Sequence, residues 1–67
     1  MLSARNQFKG TIKSVTLGNV MAEVVIGVDS IEFVSAITRR SAESLDLKVG
    51  DSVTAIVKST EVLIGKD

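Results

Sequence analysis

The sequence contains no cysteine and no histidine, so the side chains that most often bind transition metals are missing. The same two residue types supply many catalytic nucleophiles and bases, and no two carboxylates stand at a spacing that indicates a general acid and base pair. Disulfide bonds are excluded as well. We therefore expect neither an enzyme nor a site for a metal cation.

The chain also has few aromatic residues and no net charge. The chain has two Phe and no Tyr or Trp, and its eight Lys plus Arg balance its eight Asp plus Glu. It thus lacks both a positive field that attracts nucleic acid and a set of rings on which bases stack. No stretch approaches the ~20 apolar residues that cross a bilayer, and no basic segment followed by an apolar run opens the sequence. We expect a cytoplasmic protein without nucleic-acid or membrane partners.

Aliphatic residues are what the chain has in abundance. Hydrophobic residues make up 45% of the sequence, and an interior of Val, Ile, Leu and Ala suits β-strands. A chain of 67 residues forms one domain, here residues 1–67, and so short a domain buries roughly 60% of the surface that its unfolded chain exposes. Because neither disulfides nor a metal can reinforce such a core, self-association is the remaining means of stabilisation.

Alternating apolar residues predict five strands. The first, at residues 7–17, changes parity along its length, which predicts a bulge near Lys13. Gly18 and Asn19 then predict a two-residue hairpin turn, since both residue types tolerate positive φ. The other strands are predicted at residues 20–26, 31–38, 52–59 and 61–64, with a further turn at residues 27–30.

One short helix is predicted between the third and fourth strands. Thr38 is a suitable N-cap, and the helix is expected to reach Asp46 before the segment at residues 48–51 breaks it. Five strands with a helix in this position are the order of an OB-type barrel. We therefore predict an all-β fold, a five-stranded OB-like barrel with one short helix between strands 3 and 4.

Two segments carry the hydrogen-bond donors that a tetrahedral oxyanion needs. Ser3-Ala4-Arg5-Asn6-Gln7 offers a hydroxyl, a guanidinium, two amides and successive backbone N–H groups. Composition alone favours the alternative interpretation, a solvated tail that carries an ordinary surface Arg. Lys58-Ser59-Thr60 offers a cation and two hydroxyls, and its alternative interpretation is a polar strand end.

Two further features stay open at the level of composition. Ser35 interrupts the apolar face of the third strand, and its hydroxyl either bonds to a backbone carbonyl or points into a ligand pocket. The pair Arg39-Arg40 at the start of the predicted helix either contacts phosphate or faces solvent.

Several of these segments resemble the molbindin, or Mop, family of molybdate-binding domains. The similarity covers residues 2–65, and an SARNQ-x-x-G opening combined with a K-[SA]-T-x-V ending is more specific than either motif alone. Similar domains occur at the C-termini of molybdate-transporter ATPases and of molybdate-responsive transcription regulators. The residues that carry the resemblance are Ser3-Ala4-Arg5-Asn6-Gln7-Phe8-Lys9-Gly10, Ala22-Glu23-Val24, and Ala55-Ile56-Val57-Lys58-Ser59-Thr60-Glu61-Val62.

The resemblance implies an OB-like fold, assembly into a homohexamer as a trimer of dimers, and molybdate or tungstate bound at subunit interfaces. It implies two classes of site. One would join a segment of one subunit to a segment of another, and the second would lie near the three-fold axis. The residues implied for the first class are Ser3, Ala4, Arg5 and Asn6 with Lys58, Ser59 and Thr60, and those for the second are Asn19, Val20 and Ser35.

The function that the resemblance implies is molybdate binding for intracellular molybdenum storage and homeostasis. The alternative is a molybdate-sensing module that acts on a transporter or a transcription-regulator partner. No ATPase or helix-turn-helix segment is present in the sequence, which favours storage. Because molybdate is a dianion with four acceptor oxygens and no donor, a suitable site supplies only donors, and the segments above meet this demand.

Overall fold

The computed structural model describes residues 5–66. Four strands, one α-helix and one 3-10 helix follow one another in the described chain. The helix lies between the third and fourth strands, as predicted. The elements are β1 (Asn6–Leu17), β2 (Met21–Val28), β3 (Ile31–Thr38), α1 (Arg39–Ser44), β4 (Ser52–Val57) and the 3-10 helix (Ser59–Glu61).

The strands form one antiparallel sheet in the order β3-β2-β1-β4. The long strand β1 has two partners: its first half, from Asn6 to Thr11, pairs with β4, and its second half pairs with β2. The register of β1 against β2 shifts between Ile12 and Ser14, so the predicted bulge at Lys13 is confirmed. The bulge lets both Ile12 and Val15 face the interior, where Val15 packs against the core.

The hydrophobic core of the sheet is small. Ile12 and Val24, with 1% and 2% of their surface exposed, are its most deeply buried large side chains. The other buried members of the cluster are Ile26, Val28 and Ala55, and the half-buried side chains around them are Val15, Phe33, Ile37, Leu47 and Val53. Because full burial of an aliphatic side chain contributes about 1.5–3 kcal/mol, so short a list leaves a single chain weakly stabilised.

The β1–β2 hairpin is confirmed, but its turn lies one residue later than predicted. The turn residues are Asn19 and Val20, and the Gly18 N–H closes the turn by donating to the Met21 carbonyl at 2.7 Å. Positive φ is not needed here, because in residues 5–66 it occurs only at Asp29, Asp46 and Gly50. A Cβ on Gly18 would lie 2.9 Å from the Met21 carbonyl oxygen. Glycine is therefore required by close backbone approach.

The second hairpin turn is shorter than the predicted turn at residues 27–30. Strand β2 continues to Val28, and only Asp29 and Ser30 form the turn. Asp29 adopts φ 52°, the left-handed conformation that Asp tolerates better than most residues. Gly27 lies within β2, where the aliphatic stem of Lys13 crosses it so closely that a Cβ would meet the Lys13 Cε at 2.5 Å.

Helix α1 begins as predicted and ends two residues early. The Thr38 hydroxyl accepts a hydrogen bond from the Ser41 N–H at 3.1 Å, which confirms the N-cap. After Ser44 the chain turns through Asp46, which has φ 51°. The Asp46 N–H donates to Glu43 and the Leu47 N–H donates to Ala42, the pattern of a Schellman motif.

The fifth strand predicted at residues 61–64 is not formed in this chain. Ser59–Glu61 is a 3-10 helix, and the following residues have no pairing partner in the described sheet. Val62 has the extended dihedrals of a strand, but Leu63 and Ile64 are 93% and 94% exposed. Extended backbone becomes a strand only when a neighbour accepts its hydrogen bonds, and none lies beside this segment. The chain thus has an open four-stranded sheet where a closed five-stranded barrel was predicted.

None of the helices between residues 5 and 66 has the length and apolar character that crossing a membrane requires.

Candidate functional site

The β1–β4 ladder brings the first two predicted segments to the same end of the sheet. Asn6 pairs with Val57, so Arg5 and Lys58 are the next residues beyond that pair on the two strands. Ser59 begins the 3-10 helix directly after Lys58. Ser3 and Ala4, also implied for this site, lie outside the described residues. The resemblance implies that the two segments of one site come from different subunits; within a single chain, strand pairing sets Arg5 and Lys58 side by side.

The side chains at this end are exposed and supply donors. Arg5, Lys58, Ser59 and Thr60 are all exposed. The described chain contains two ion pairs, Arg39 with Glu43 and Lys48 with Asp46, and neither uses Arg5 or Lys58. The backbone is held at both sides: Gln7 N–H donates to the Arg5 carbonyl at 3.1 Å, and Glu61 N–H donates to the Lys58 carbonyl at 2.8 Å. Two uncompensated cations and two hydroxyls can therefore coordinate an anion here.

The second predicted set is not brought together within one chain. Asn19 and Val20 form the exposed turn between β1 and β2, whereas Ser35 lies inside β3, opposite Val24. The pair Met21 and Thr38, at the end of the β2–β3 ladder next to this turn, lies three positions from the pair that contains Ser35. Three strand residues span about 10 Å, so the Ser35 hydroxyl and the turn belong to different parts of one subunit.

At the turn of Asn19 and Val20, two backbone carbonyls accept hydrogen bonds, whereas the turn's own N–H groups do not reach a carbonyl acceptor within residues 5–66. Arg39 binds both of its outer carbonyls: the Arg39 Nη1 donates to Gly18 at 3.2 Å, and the Arg39 N–H donates to Val20 at 2.7 Å. The N–H groups of Asn19 and Val20 donate to no carbonyl in the part of the chain that the structure describes. The turn thus presents two N–H donors, while the carbonyl oxygens of Gly18 and Val20 accept hydrogen bonds from Arg39.

Arg39 is the contact residue that sequence reasoning did not identify. It was considered together with Arg40, as a phosphate patch or a solvent-facing pair, and the structure separates the two. Arg39 is half-buried against the turn, whereas Arg40 is exposed. The sequence indicated part of this position, because the N-cap at Thr38 makes Arg39 the first helical residue after β3. It did not show that Arg39 lies beside the turn, because that depends on the β2–β3 register.

A groove separates the two edge strands of the open sheet. It has a volume of about 540 Å³, with Ile12, Val24 and Ile26 at its floor and Ser35 and Thr54 on its β3 and β4 sides. A second cavity of about 210 Å³ lies between residues 33–35 of β3 and residues 54–57 of β4. Both are therefore parts of one gap, at the place where a barrel would need a further strand.

No group of three or more acidic residues in residues 5–66 is arranged to hold a metal ion. The described residues of the candidate site supply hydrogen-bond donors and positive charge.

Comparison with known proteins matches the sequence to the TOBE domain over residues 2–64. The chain is 45% identical over 64 residues to molybdenum-pterin-binding protein 3 of Clostridium pasteurianum, covering 94% of each. It is 44% identical over 63 residues to the molybdenum transport protein ModE of Azotobacter vinelandii, covering 92% of this chain and spanning only 23% of that longer protein.

Two solved structures share the fold. A molybdate-binding protein from Sporomusa ovata superposes with a TM-score of 0.93 at 44% identity, covering 98% of both chains. The cytoplasmic molybdate-binding protein ModG, solved with molybdate bound, superposes with a TM-score of 0.82 at 38% identity, covering 88% of this chain and 43% of that one. These names denote binding and transport proteins.

Proposed function

The chain belongs to the TOBE domain family, in its molbindin or Mop group, and from this premise we propose that it binds molybdate, or the similar dianion tungstate, as an intracellular store. The molybdenum-pterin-binding and molybdate-binding names of its full-length relatives support this ligand class. The cytoplasmic relative ModG supports a cytoplasmic location.

The observation that carries the proposal is the adjacency of the Arg5 and Lys58 segments at one end of the β1–β4 ladder. Molybdate presents four acceptor oxygens and two negative charges, so a site that binds it tightly supplies N–H and O–H donors and positive charge. The Arg5 guanidinium, the Lys58 ammonium and the hydroxyls of Ser59 and Thr60 supply both. Charge-assisted hydrogen bonds contribute about 1.5–3 kcal/mol each, so two such cations dominate the affinity.

We also propose that the site is completed by self-association, and that the fifth strand is contributed by a second copy. The exposed apolar tail at residues 62–64 has extended backbone at Val62 and no partner in its own sheet. The gap between β3 and β4 has two unpaired strand edges and an apolar floor. An extended tail from a partner fits that gap in both hydrogen bonding and polarity, and reciprocal exchange between two copies satisfies both chains.

This exchange would give each subunit the five-stranded OB-like barrel that the sequence predicts. Lys58-Ser59-Thr60 directly precedes the exchanged tail, so the exchange would carry this segment to the subunit boundary. A homohexamer built as a trimer of such dimers is the assembly that the resemblance implies. We propose it as the storage form, with the Asn19, Val20 and Ser35 groups of several copies near its three-fold axis.

Equilibrium dialysis of the full chain against molybdate, with light scattering of the same samples and excess sulfate as competitor, tests this function. We expect an oligomer that binds more than one molybdate and retains it in sulfate. Because the two anions have the same charge and shape, discrimination between them would depend on the size of the completed site. A monomer that binds no molybdate would contradict both the ligand and the interface site.

A further inference from the structure

The contact between Arg39 and the β1–β2 turn joins three elements through one residue. The Arg39 backbone N–H donates to the Val20 carbonyl at 2.7 Å, and its guanidinium Nη1 donates to the Gly18 carbonyl at 3.2 Å. On its other side, the guanidinium Nε lies 3.6 Å from the Glu43 carboxylate, one helical turn further along α1. Arg39 thus connects the turn, the start of α1 and the last turn of α1, through its backbone N–H and its guanidinium.

This arrangement changes what the turn presents to solvent. A carbonyl oxygen repels an anion, and the two outer carbonyls of the turn are both engaged by Arg39. The N–H groups of Asn19 and Val20 remain without a carbonyl acceptor in residues 5–66, and both residues are exposed. A guanidinium has five N–H donors in a rigid plane, so binding one carbonyl and one carboxylate leaves further donors beside the turn.

The partial neutralisation of Arg39 by Glu43 does not cancel its effect. The Nε–Oε2 separation of 3.6 Å is longer than a strong charge-assisted hydrogen bond, and the two side chains are 40% and 58% exposed. Exposed pairs of this kind contribute little, because water and salt screen the two charges. The positive charge therefore still acts on a ligand at the turn.

From these contacts we infer that Arg39 is the positioning residue of the oxyanion site at the Asn19–Val20 turn. It holds the turn so that consecutive N–H groups face outward, and it supplies the positive charge beside them. The inference rests on the proposed function, since the ligand is the same molybdate dianion. It gives Arg39 a role at the second class of site, for which the resemblance implies only Asn19, Val20 and Ser35.

Arg40 is the matched control for a substitution at Arg39. The two residues are adjacent in α1 and carry the same charge, but the exposed Arg40 side chain has no hydrogen bond or ion pair among the described residues. Arg39→Gln and Arg40→Gln therefore change net charge equally, and only Arg39→Gln loses the bond to the turn and the ion pair to Glu43, whose separate contribution Glu43→Gln measures. Arg39→Lys keeps the charge and the backbone hydrogen bond, but cannot bind the Gly18 carbonyl and Glu43 as one planar group.

The experiment counts molybdate sites by isothermal titration in the full-length protein and its variants, with thermal unfolding to confirm that each is folded. We expect Arg39→Gln to weaken one class of sites about tenfold or more, the loss of one charge-assisted hydrogen bond, and to leave the other class unchanged. Arg40→Gln should retain both classes, and Arg39→Lys should lie between wild type and Arg39→Gln. Glu43→Gln should retain or tighten the affected class, because it releases the guanidinium.

Amide NMR spectra locate the affected class. Molybdate should shift the Asn19 and Val20 N–H resonances in the wild type and not in Arg39→Gln. Equal binding by wild type and Arg39→Gln, or equal losses in Arg39→Gln and Arg40→Gln, would overturn the role of Arg39. A wild-type protein that binds no molybdate at all would instead overturn the proposed function, so the two failures are distinguishable.

Discussion

Phe8 and Phe33, the two aromatic residues of the chain, stack with their ring centroids 5.1 Å apart and their planes at 25°. Phe8 belongs to β1 and Phe33 to β3, strands that are separated by β2 in the sheet. At Phe8 the partner of β1 is β4, so the contact with Phe33 crosses the interior. The stack shows that the open sheet curls, because it joins two strands that are not neighbours in the sheet.

The aromatic pair should contribute coupled stability. Phe8→Leu and Phe33→Leu each retain apolar volume and remove the stacking, which is worth about 0.5–1.5 kcal/mol for aromatic pairs. We expect the double variant to lose less free energy of unfolding than the sum of the single variants by about this amount. Urea unfolding of the four proteins measures the coupling. Strictly additive losses would show that the stack contributes no more than separate apolar contacts.

Gly10 should tolerate no side chain. A Cβ at this position would lie 2.8 Å from the Val28 Cγ2 and closer still to the Gly27 carbonyl oxygen. Because the obstruction includes backbone, Gly10→Ala should destabilise the fold by about 3 kcal/mol, the upper part of the range for overpacking. Thermal unfolding measures this loss. Gly65→Ala is the control, since nothing lies within 4 Å of its Cβ, and it should unfold like the wild type.

Asp46 should be replaceable by glycine with a gain in stability. Its φ of 51° is the left-handed conformation at the end of α1, which costs most L residues about 1–2 kcal/mol and glycine much less. The ion pair that it loses, to Lys48 at 3.4 Å, is exposed and contributes little. We expect Asp46→Gly to raise the unfolding free energy by about 0.5–1 kcal/mol in urea titrations. Ser44→Gly, in the helix itself, should lower it.

Lys58 should determine affinity without affecting stability. Its side chain is exposed, so Lys58→Gln should leave the melting temperature unchanged while weakening molybdate binding at the site of the Arg5 and Lys58 segments roughly ten- to a hundredfold. Equilibrium dialysis measures the affinity. Lys48→Gln, which removes the same charge from the loop after α1, should bind molybdate as the wild type does. Equal affinities for Lys58→Gln and wild type would remove this residue from the site.

The exposed tail should determine the oligomeric state. Leu63→Lys with Ile64→Lys adds charge at two side chains that are 93% and 94% exposed in the single chain, so its own fold should be unaffected. In the proposed exchange the same charges would enter an apolar gap, and we expect sedimentation velocity to show a monomer. Val49→Lys changes a third exposed apolar residue, 68% exposed, and should assemble normally. An unchanged oligomer in the tail variant would exclude the exchange.

Local sequence patterns determined much of this protein. Period-two alternation located four strands, the change of parity in β1 predicted the bulge at Lys13, and Thr38 predicted the start of α1. Each of these signals acts over a few neighbouring residues, so it can be recognised without knowledge of distant contacts. The motifs around Arg5 and Lys58 indicated the family in the same way, because the donors stand consecutively in the chain.

The tertiary structure alone decided the features that depend on distant backbone. Gly18 is needed because the Met21 carbonyl approaches it, and not because of its own φ. Arg39 reaches the turn only because the β2–β3 register sets the helix start beside it. The tail at residues 62–64 has the composition of a strand, yet pairing requires a neighbour that its own sheet does not offer. Propensity is a property of a segment, whereas hydrogen-bond partners are a property of the assembled fold.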